Sequence, residues 1–241
     1  MKTIGIVGSG SWALALSKVI KNGSLIVKTR DLKKASKSFK KVKNLELTDR
    51  FEDLSNCKYI FLAIPSQALR QNIKSIKKTI NLKNCIFIIC SKGVEKKTNQ
   101  LMSQVFKEIL NNRFVILSGP NFSDEVIKGL PTATVLSCEN SKTAKEISLL
   151  FKQEKFRTYF NTDIIGTQVG GAMKNVIAIA CGLIQGNNLG FNAQASIVTR
   201  GLSEIVELGI ILGAKKNTFF GLSGIGDLTL TCSSLKSRNT K

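Results

Sequence analysis

The chain has no histidine among its 241 residues. That absence removes the commonest metal ligand and the commonest proton-exchanging side chain together. Its six cysteines, Cys57, Cys85, Cys90, Cys138, Cys181 and Cys232, form no CxxC pair, so neither a zinc site nor a disulfide framework is indicated and no metal is expected. Runs such as Cys85-Ile86-Phe87-Ile88-Ile89-Cys90 read as apolar strands in which a thiol is a small buried hydrophobe, which suits a reducing cytoplasm. Met1-Lys2 leads straight into a strand, with no apolar leader and cleavage site. The longest apolar run, Val176 to Ile184, contains Gly182 and falls short of the ~20 residues a membrane-spanning helix needs. A soluble cytoplasmic protein without membrane insertion is expected. Acid is also scarce: 16 Asp and Glu against 36 Lys and Arg, a net charge of +20. The summed field favours anionic partners. The basic residues are nevertheless scattered in short groups, such as Lys33-Lys34, Lys40-Lys41, Lys77-Lys78, Lys96-Lys97 and Lys215-Lys216, and no aromatic-interleaved module accompanies them. Phosphorylated metabolites are therefore expected as partners, and nucleic acid is not.

What is present is concentrated first in residues 3–31. An apolar strand runs into Gly8-Ser9-Gly10-Ser11-Trp12-Ala13, then into a helical pattern, then into a second strand at Leu25-Ile26-Val27. Gly8 permits the tight turn, Gly10 has no Cβ to block a pyrophosphate, and Ala13 lets the helix lie close on the sheet. Phosphates would sit on the free N–H groups at the helix start. Asn22-Gly23 reads as the helix stop. At the end of the second strand Arg30 precedes Asp31. An Arg there accommodates a ribose 2′-phosphate and an acid binds the 2′-hydroxyl. Arg30, backed by Lys28 and Lys33, leans toward NADP, while Asp31 keeps NAD open.

Downstream, strand patterns at 59–64, 86–90, 114–117, 133–136 and 156–160 alternate with helical patterns that include 69–80, 101–110 and 143–151. This alternation predicts a doubly wound, mainly parallel α/β sheet of the Rossmann type. Three polar segments follow strand ends, where such sheets bind ligands: Ile64-Pro65-Ser66, Ser91-Lys92-Gly93 and Ser118-Gly119-Pro120-Asn121-Phe122. Each also reads as an ordinary strand-to-helix turn. From Asp163 the pattern changes to long helices over 164–186 and 191–212. We expect a dinucleotide-binding domain over 1–162 and a helical substrate domain over 163–241.

A nicotinamide enzyme acting on a carbonyl or alcohol needs a group to exchange a proton with the substrate oxygen. With histidine absent, Lys174 is the leading candidate. It sits in the otherwise uncharged Gly170-Gly171-Ala172-Met173-Lys174-Asn175-Val176, where a charge is costly without a purpose. Burial beside Lys92 would lower its pKa from ~10.4 toward ~7–8. The neighbouring Asn175 is available to hold the substrate or orient the lysine. The competing reading is a lysine that snorkels to solvent. Near the end, a glycine-rich turn over 221–226 presents Asp227. Ser237-Arg238-Asn239 follows, and the arginine there suits a phosphate grip with two neutral neighbours.

Taken in order, GSGSWA, the IPS turn, SKG, SGPNFSDE, GLPTA, GGAMKNVIAIACG, the NAQA…TRGL helix and GIGDLTLTC…SRN resemble the bacterial NAD(P)-dependent glycerol-3-phosphate dehydrogenases over essentially the whole chain. The resemblance implies hydride transfer between NAD(P) and the pair dihydroxyacetone phosphate and sn-glycerol 3-phosphate, feeding phospholipid synthesis. Beside Gly8 and Gly10 of the glycine loop, it implies by position dinucleotide contacts at Ser11, Trp12, Arg30, Lys92, Ser123 and Arg238. It implies substrate contacts at Lys92, Gly119, Asn121, Lys174, Asp227, Ser237, Arg238 and Asn239, with Lys174 exchanging the proton. A homodimer is carried as a candidate assembly.

Two departures from the family pattern stand out. Ala13-Leu14 replaces a Gly- or Thr-rich helix opening, and the chain stops at Lys241, where the family continues with further helices. The expectation is a shortened helical domain whose helices over 164–186 and 191–212 leave apolar faces partly uncovered. Two alternatives stay open at this point. One is an inactive dinucleotide-binding remnant. The other is a related hydroxyacid dehydrogenase, although many of those place an Asn three residues after the lysine, where this chain has Ile177.

Overall fold

The structure is a computed structural model that describes residues 2–21 and 23–233. Its centre is an eight-stranded sheet in the order β3-β2-β1-β4-β5-β6-β7-β8. The strands are β1 (Lys2–Val7), β2 (Gly23–Lys28), β3 (Leu45–Thr48), β4 (Tyr59–Leu62), β5 (Ile86–Ile89), β6 (Arg113–Ser118), β7 (Thr132–Ser137) and β8 (Phe156–Asn161). Neighbouring strands pair in parallel except β6 with β7. The first six strands take the 3-2-1-4-5-6 order of a dinucleotide-binding fold, with the reversal of winding between β1 and β4.

Strand alternation explains why both faces are covered. Ile4 and Ile6, Tyr59 and Phe61, and Ile86 and Ile88 point into one apolar cluster. Val7, Ile60 and Leu62, and Phe87 and Ile89 point into the other. A strand buried on both sides must be apolar throughout, and β4 and β5 are. The covering helices are α1 (Ser11–Val19), α2 (Leu32–Phe39), α3 (Leu69–Thr79), α4 (Met102–Lys107), α5 (Ser123–Ile127) and α6 (Ser141–Ser148). All six cysteines are buried and free. Burial pushes the Cys57, Cys90 and Cys232 thiols up to about 12, so they behave as small apolar side chains.

After the sheet come α7 (Ile164–Gly186), α8 (Gly190–Ile211) and α9 (Asp227–Cys232). Asp163 starts α7: its carboxylate accepts from the Gly166 N–H, the Lys215 N–H and the Thr218 hydroxyl at 2.8, 2.8 and 2.7 Å. Gln168 ties the same helix to Ser103 of α4, accepting from its N–H and donating to its hydroxyl. These bonds hold the start of α7 to α4 and to the segment between α8 and α9. Val176, Ile179 and Leu183, spaced along one side of α7, and Phe191 and Ile211 of α8 are exposed, Phe191 by 87 %.

Local details differ from the expectations. Helix α1 ends at Val19, ahead of the expected stop, and Gly23 is already the first residue of β2; Asn22 lies outside the described residues. The helix expected over 164–186 is present as α7, with Lys174 in its interior. Asp227 is the first residue of α9, which follows directly on the turn Leu222–Gly226. Among the described residues α7 is also the one helix long and apolar enough by composition to cross a membrane, with mean hydropathy 1.3 and 50 % of that stretch buried inside the protein. Its uncharged Gly, Thr, Gln and Asn residues lengthen the low-charge stretch well past the strictly apolar run.

Candidate active site

The glycine loop joins β1 to α1 at the winding reversal. Gly8 has φ +109°, and a Cβ there would run into the Ala63 carbonyl oxygen, so glycine is dictated by the protein itself. Gly10 differs: its backbone is extended, and a Cβ built on it meets nothing within 4 Å. The space beside it is open for a ligand. Gly10 caps α1 without a side-chain hydrogen bond, which leaves the first-turn N–H groups of Ser11, Trp12 and Ala13 facing that space as an anion site. Ser9 and Thr29 hydroxyls meet at 2.7 Å and tie the loop to the end of β2.

The end of β2 separates the two residues that bear on the cofactor. The Asp31 carboxylate accepts from the Lys34 N–H at 2.9 Å and caps α2. Arg30 stands exposed. Lys28 lies over the Phe51 ring at 4.2 Å, and burial, then the Arg30 charge, lowers its pKa. The rim of this crevice is cationic.

Across the sheet, the segments after β5 and β6 converge with α7 and α9. Lys92, in the turn after β5, donates to the Gly119 carbonyl at 2.9 Å and to Asp227 Oδ2 at 2.6 Å. Lys174 donates to Asp227 Oδ1 at 2.5 Å and to Thr231 Oγ1 at 2.8 Å. Asp227 is completely buried and bridges the two ammonium groups. Two cations around one carboxylate leave one positive charge in excess, a suitable field for an anionic ligand.

The glycines of α7 make this approach possible. A Cβ on Gly170 would strike the Ser223 carbonyl oxygen, and one on Gly171 would lie 2.8 Å from Ser118 Oγ. Only an uncovered helix face can press this close to the end of β6 and to the turn before α9. One turn on, Lys174 faces Asp227. It is 8 % exposed, so the snorkelling alternative is set aside. Burial, then the Lys92 charge, brings its pKa down to about 8 against the opposing pull of Asp227. At pH 7 it is roughly nine-tenths protonated, yet close enough to neutrality to exchange a proton.

Of the other expected site residues, Ser123 opens α5 and is half-buried. Asn121 lies in the same segment as Gly119 but turns onto β7, donating to the Ala133 carbonyl at 3.1 Å. Ser237, Arg238 and Asn239 lie outside the described residues. Sequence reasoning missed Thr231, Asp163 and Gln168. Thr231 was detectable: it stands four residues after Asp227, one helical turn away, but no helix was read after the turn over 221–226, so the spacing carried no signal. No group of three or more Cys, Asp or Glu side chains suited to a metal occurs among the described residues.

A doubly wound sheet with a glycine loop at its winding reversal, facing a buried lysine of lowered pKa, defines a dinucleotide-dependent dehydrogenase with a helical C-terminal region. Comparison with known proteins narrows this. The family model for the NAD-dependent glycerol-3-phosphate dehydrogenase N-terminus matches residues 3–144, and that for its C-terminus matches residues 163–241. A Clostridium botulinum glycerol-3-phosphate dehydrogenase [NAD(P)+] is 40 % identical over 256 residues, covering 100 % of this chain and 77 % of the relative. A Corynebacterium glutamicum protein of the same name is 40 % identical over 257 residues, 99 % of this chain and 77 % of its own. The crystal structure of a glycerol-3-phosphate dehydrogenase from Coxiella burnetii superposes with a TM-score of 0.92 at 31 % identity, over 99 % of this chain and 78 % of that one. The chain belongs to the NAD-dependent glycerol-3-phosphate dehydrogenase family.

Proposed function

We propose that this chain interconverts dihydroxyacetone phosphate and sn-glycerol 3-phosphate with NAD(P), supplying glycerophospholipid synthesis. The observation that carries the reading is the buried Lys174, paired with Asp227 and tuned by Lys92. In reduction the Lys174 ammonium gives its proton to the substrate oxygen; in oxidation the neutral amine takes it back. Asp227 and Thr231 hold the ammonium in place, and Lys92 adds the positive charge that draws an anionic substrate. When bound, the nicotinamide supplies or accepts the hydride.

The residues present fit that cofactor. Gly8, Gly10, Ser11 and Trp12 would hold the pyrophosphate at the start of α1, with Ser123 and Lys92 nearer the substrate. The exposed Arg30 favours a 2′-phosphate, because the Asp31 carboxylate is occupied in capping α2. Gly119 and Asn121 are assigned to the substrate on the resemblance, as are Ser237 and Asn239; Arg238 is assigned to both ligands. We take the boundary between the dinucleotide-binding and substrate domains at Asp163. A homodimer and a cytoplasmic location complete the reading.

Purified chain given dihydroxyacetone phosphate and NADPH or NADH tests it by the fall in reduced-nicotinamide absorbance, with NADPH expected to have the lower KM. Thermal stabilisation by cofactor without turnover would select the inactive remnant. A preference for 2-hydroxy or 3-hydroxy acids would select the related dehydrogenase.

A further inference from the structure

Ser118, the last residue of β6, is 2 % exposed, and its hydroxyl has no hydrogen-bond partner among the described residues. Its carbonyl is satisfied by the Thr134 hydroxyl at 2.9 Å, so the hydroxyl alone is left over. Alternation along β6 turns Val115 and Leu117 to one sheet face and Ile116 to the other. Ser118 shares the Ile116 face, on which α7 packs. A Cβ built on Gly171 would lie 2.8 Å from Ser118 Oγ and 3.5 Å from Lys92 Cδ. Both groups therefore converge on one spot of α7, three residues before Lys174.

A buried hydroxyl without a partner costs about 1–3 kcal/mol, and few native groups carry that cost without a use. We propose that the Ser118 hydroxyl donates a hydrogen bond to an oxygen of the bound three-carbon phosphate substrate, on the Lys92 side of the Lys174–Asp227 pair. The inference rests on the proposed activity. Its chemistry is that of a neutral donor beside a cation, which reads the position of an oxygen without adding charge. The serine is a binding residue, and its hydroxyl is unpaired until substrate arrives.

Ser118→Ala tests the assignment, with the unaltered chain assayed beside it. Loss of one substrate hydrogen bond predicts a KM for dihydroxyacetone phosphate raised about tenfold, an unchanged KM for NADPH, and a melting temperature of the free protein equal to or above the parent's. An unchanged substrate KM overturns the proposal. A lowered melting temperature with both KM values raised also overturns it, by showing a structural role. If the unaltered chain shows no turnover, the activity itself fails, and that result is distinct from either.

Discussion

Replacing Asp227 with Asn removes the negative charge between two ammonium groups while keeping the side chain's size. Lys174 then loses the influence that raises its pKa, whereas burial and the Lys92 charge, which lower it, remain. An opposite charge in contact typically moves a pKa by about 1–3. Starting from about 8, the lysine becomes mostly neutral at pH 7; a fall of about 2 takes the protonated fraction from roughly nine-tenths to roughly one-tenth. Reduction of dihydroxyacetone phosphate needs the protonated form, so its rate falls with rising pH through the lysine's pKa. The high-pH limb of kcat/KM for reduction should therefore stand near pH 8 in the parent and move down by about 1–3 in Asp227→Asn. Oxidation, which needs the neutral amine, should be less impaired at the same pH. Stability supplies a second readout. A lysine whose folded pKa lies below its unfolded value binds fewer protons when folded, so stability rises with pH between those two values. The variant should melt at a higher temperature at pH 9 than at pH 6, over a wider pH interval than the parent. A limb that stays at pH 8, or moves upward, would refute the assignment of Lys174 as the titrating group.

Two further substitutions probe how the fold holds the two ligands. Gly10→Val places a side chain in open space on an extended backbone, so the free protein should lose no more than about 1 kcal/mol, while NADPH should no longer raise its melting temperature. A cofactor-induced shift equal to the parent's would contradict the placement of the pyrophosphate. Gly170→Ala drives a methyl into the Ser223 carbonyl; forced repacking should cost about 1–3 kcal/mol, and displacing α7 from α9 should lower kcat along with stability. Unchanged melting and turnover would show that close approach at this point is not what aligns Lys174 with Asp227.

Much of this was legible in the sequence because it is encoded locally. The strand, glycine loop and helix at 3–19 lie in one continuous segment, and each residue's role follows from its neighbours. Lys174 was visible as a charge in an uncharged helix, and its lowered pKa followed from burial beside Lys92. The carboxylate joining the two lysines was not visible. Asp227 stands 135 residues from Lys92 and 53 from Lys174, and only the packing of α9 on α7 and on the turn after β5 brings the three together. Strand β3 escaped for a different reason. It is four residues long at the sheet edge, with two half-exposed and one exposed position, so the apolar signal of the central strands is missing. The cap at Asp163 and the tie at Gln168 depend on partners 52 and 65 residues away, beyond the reach of local pattern.

The most direct test of the account is Lys174→Met, which keeps much of the side chain's length, removes the ammonium and leaves Asp227 its bond to Lys92. The kcat for dihydroxyacetone phosphate reduction should fall by about 10²–10⁴, with NADPH still raising the melting temperature as it does in the parent. A kcat within tenfold of the parent's would contradict it.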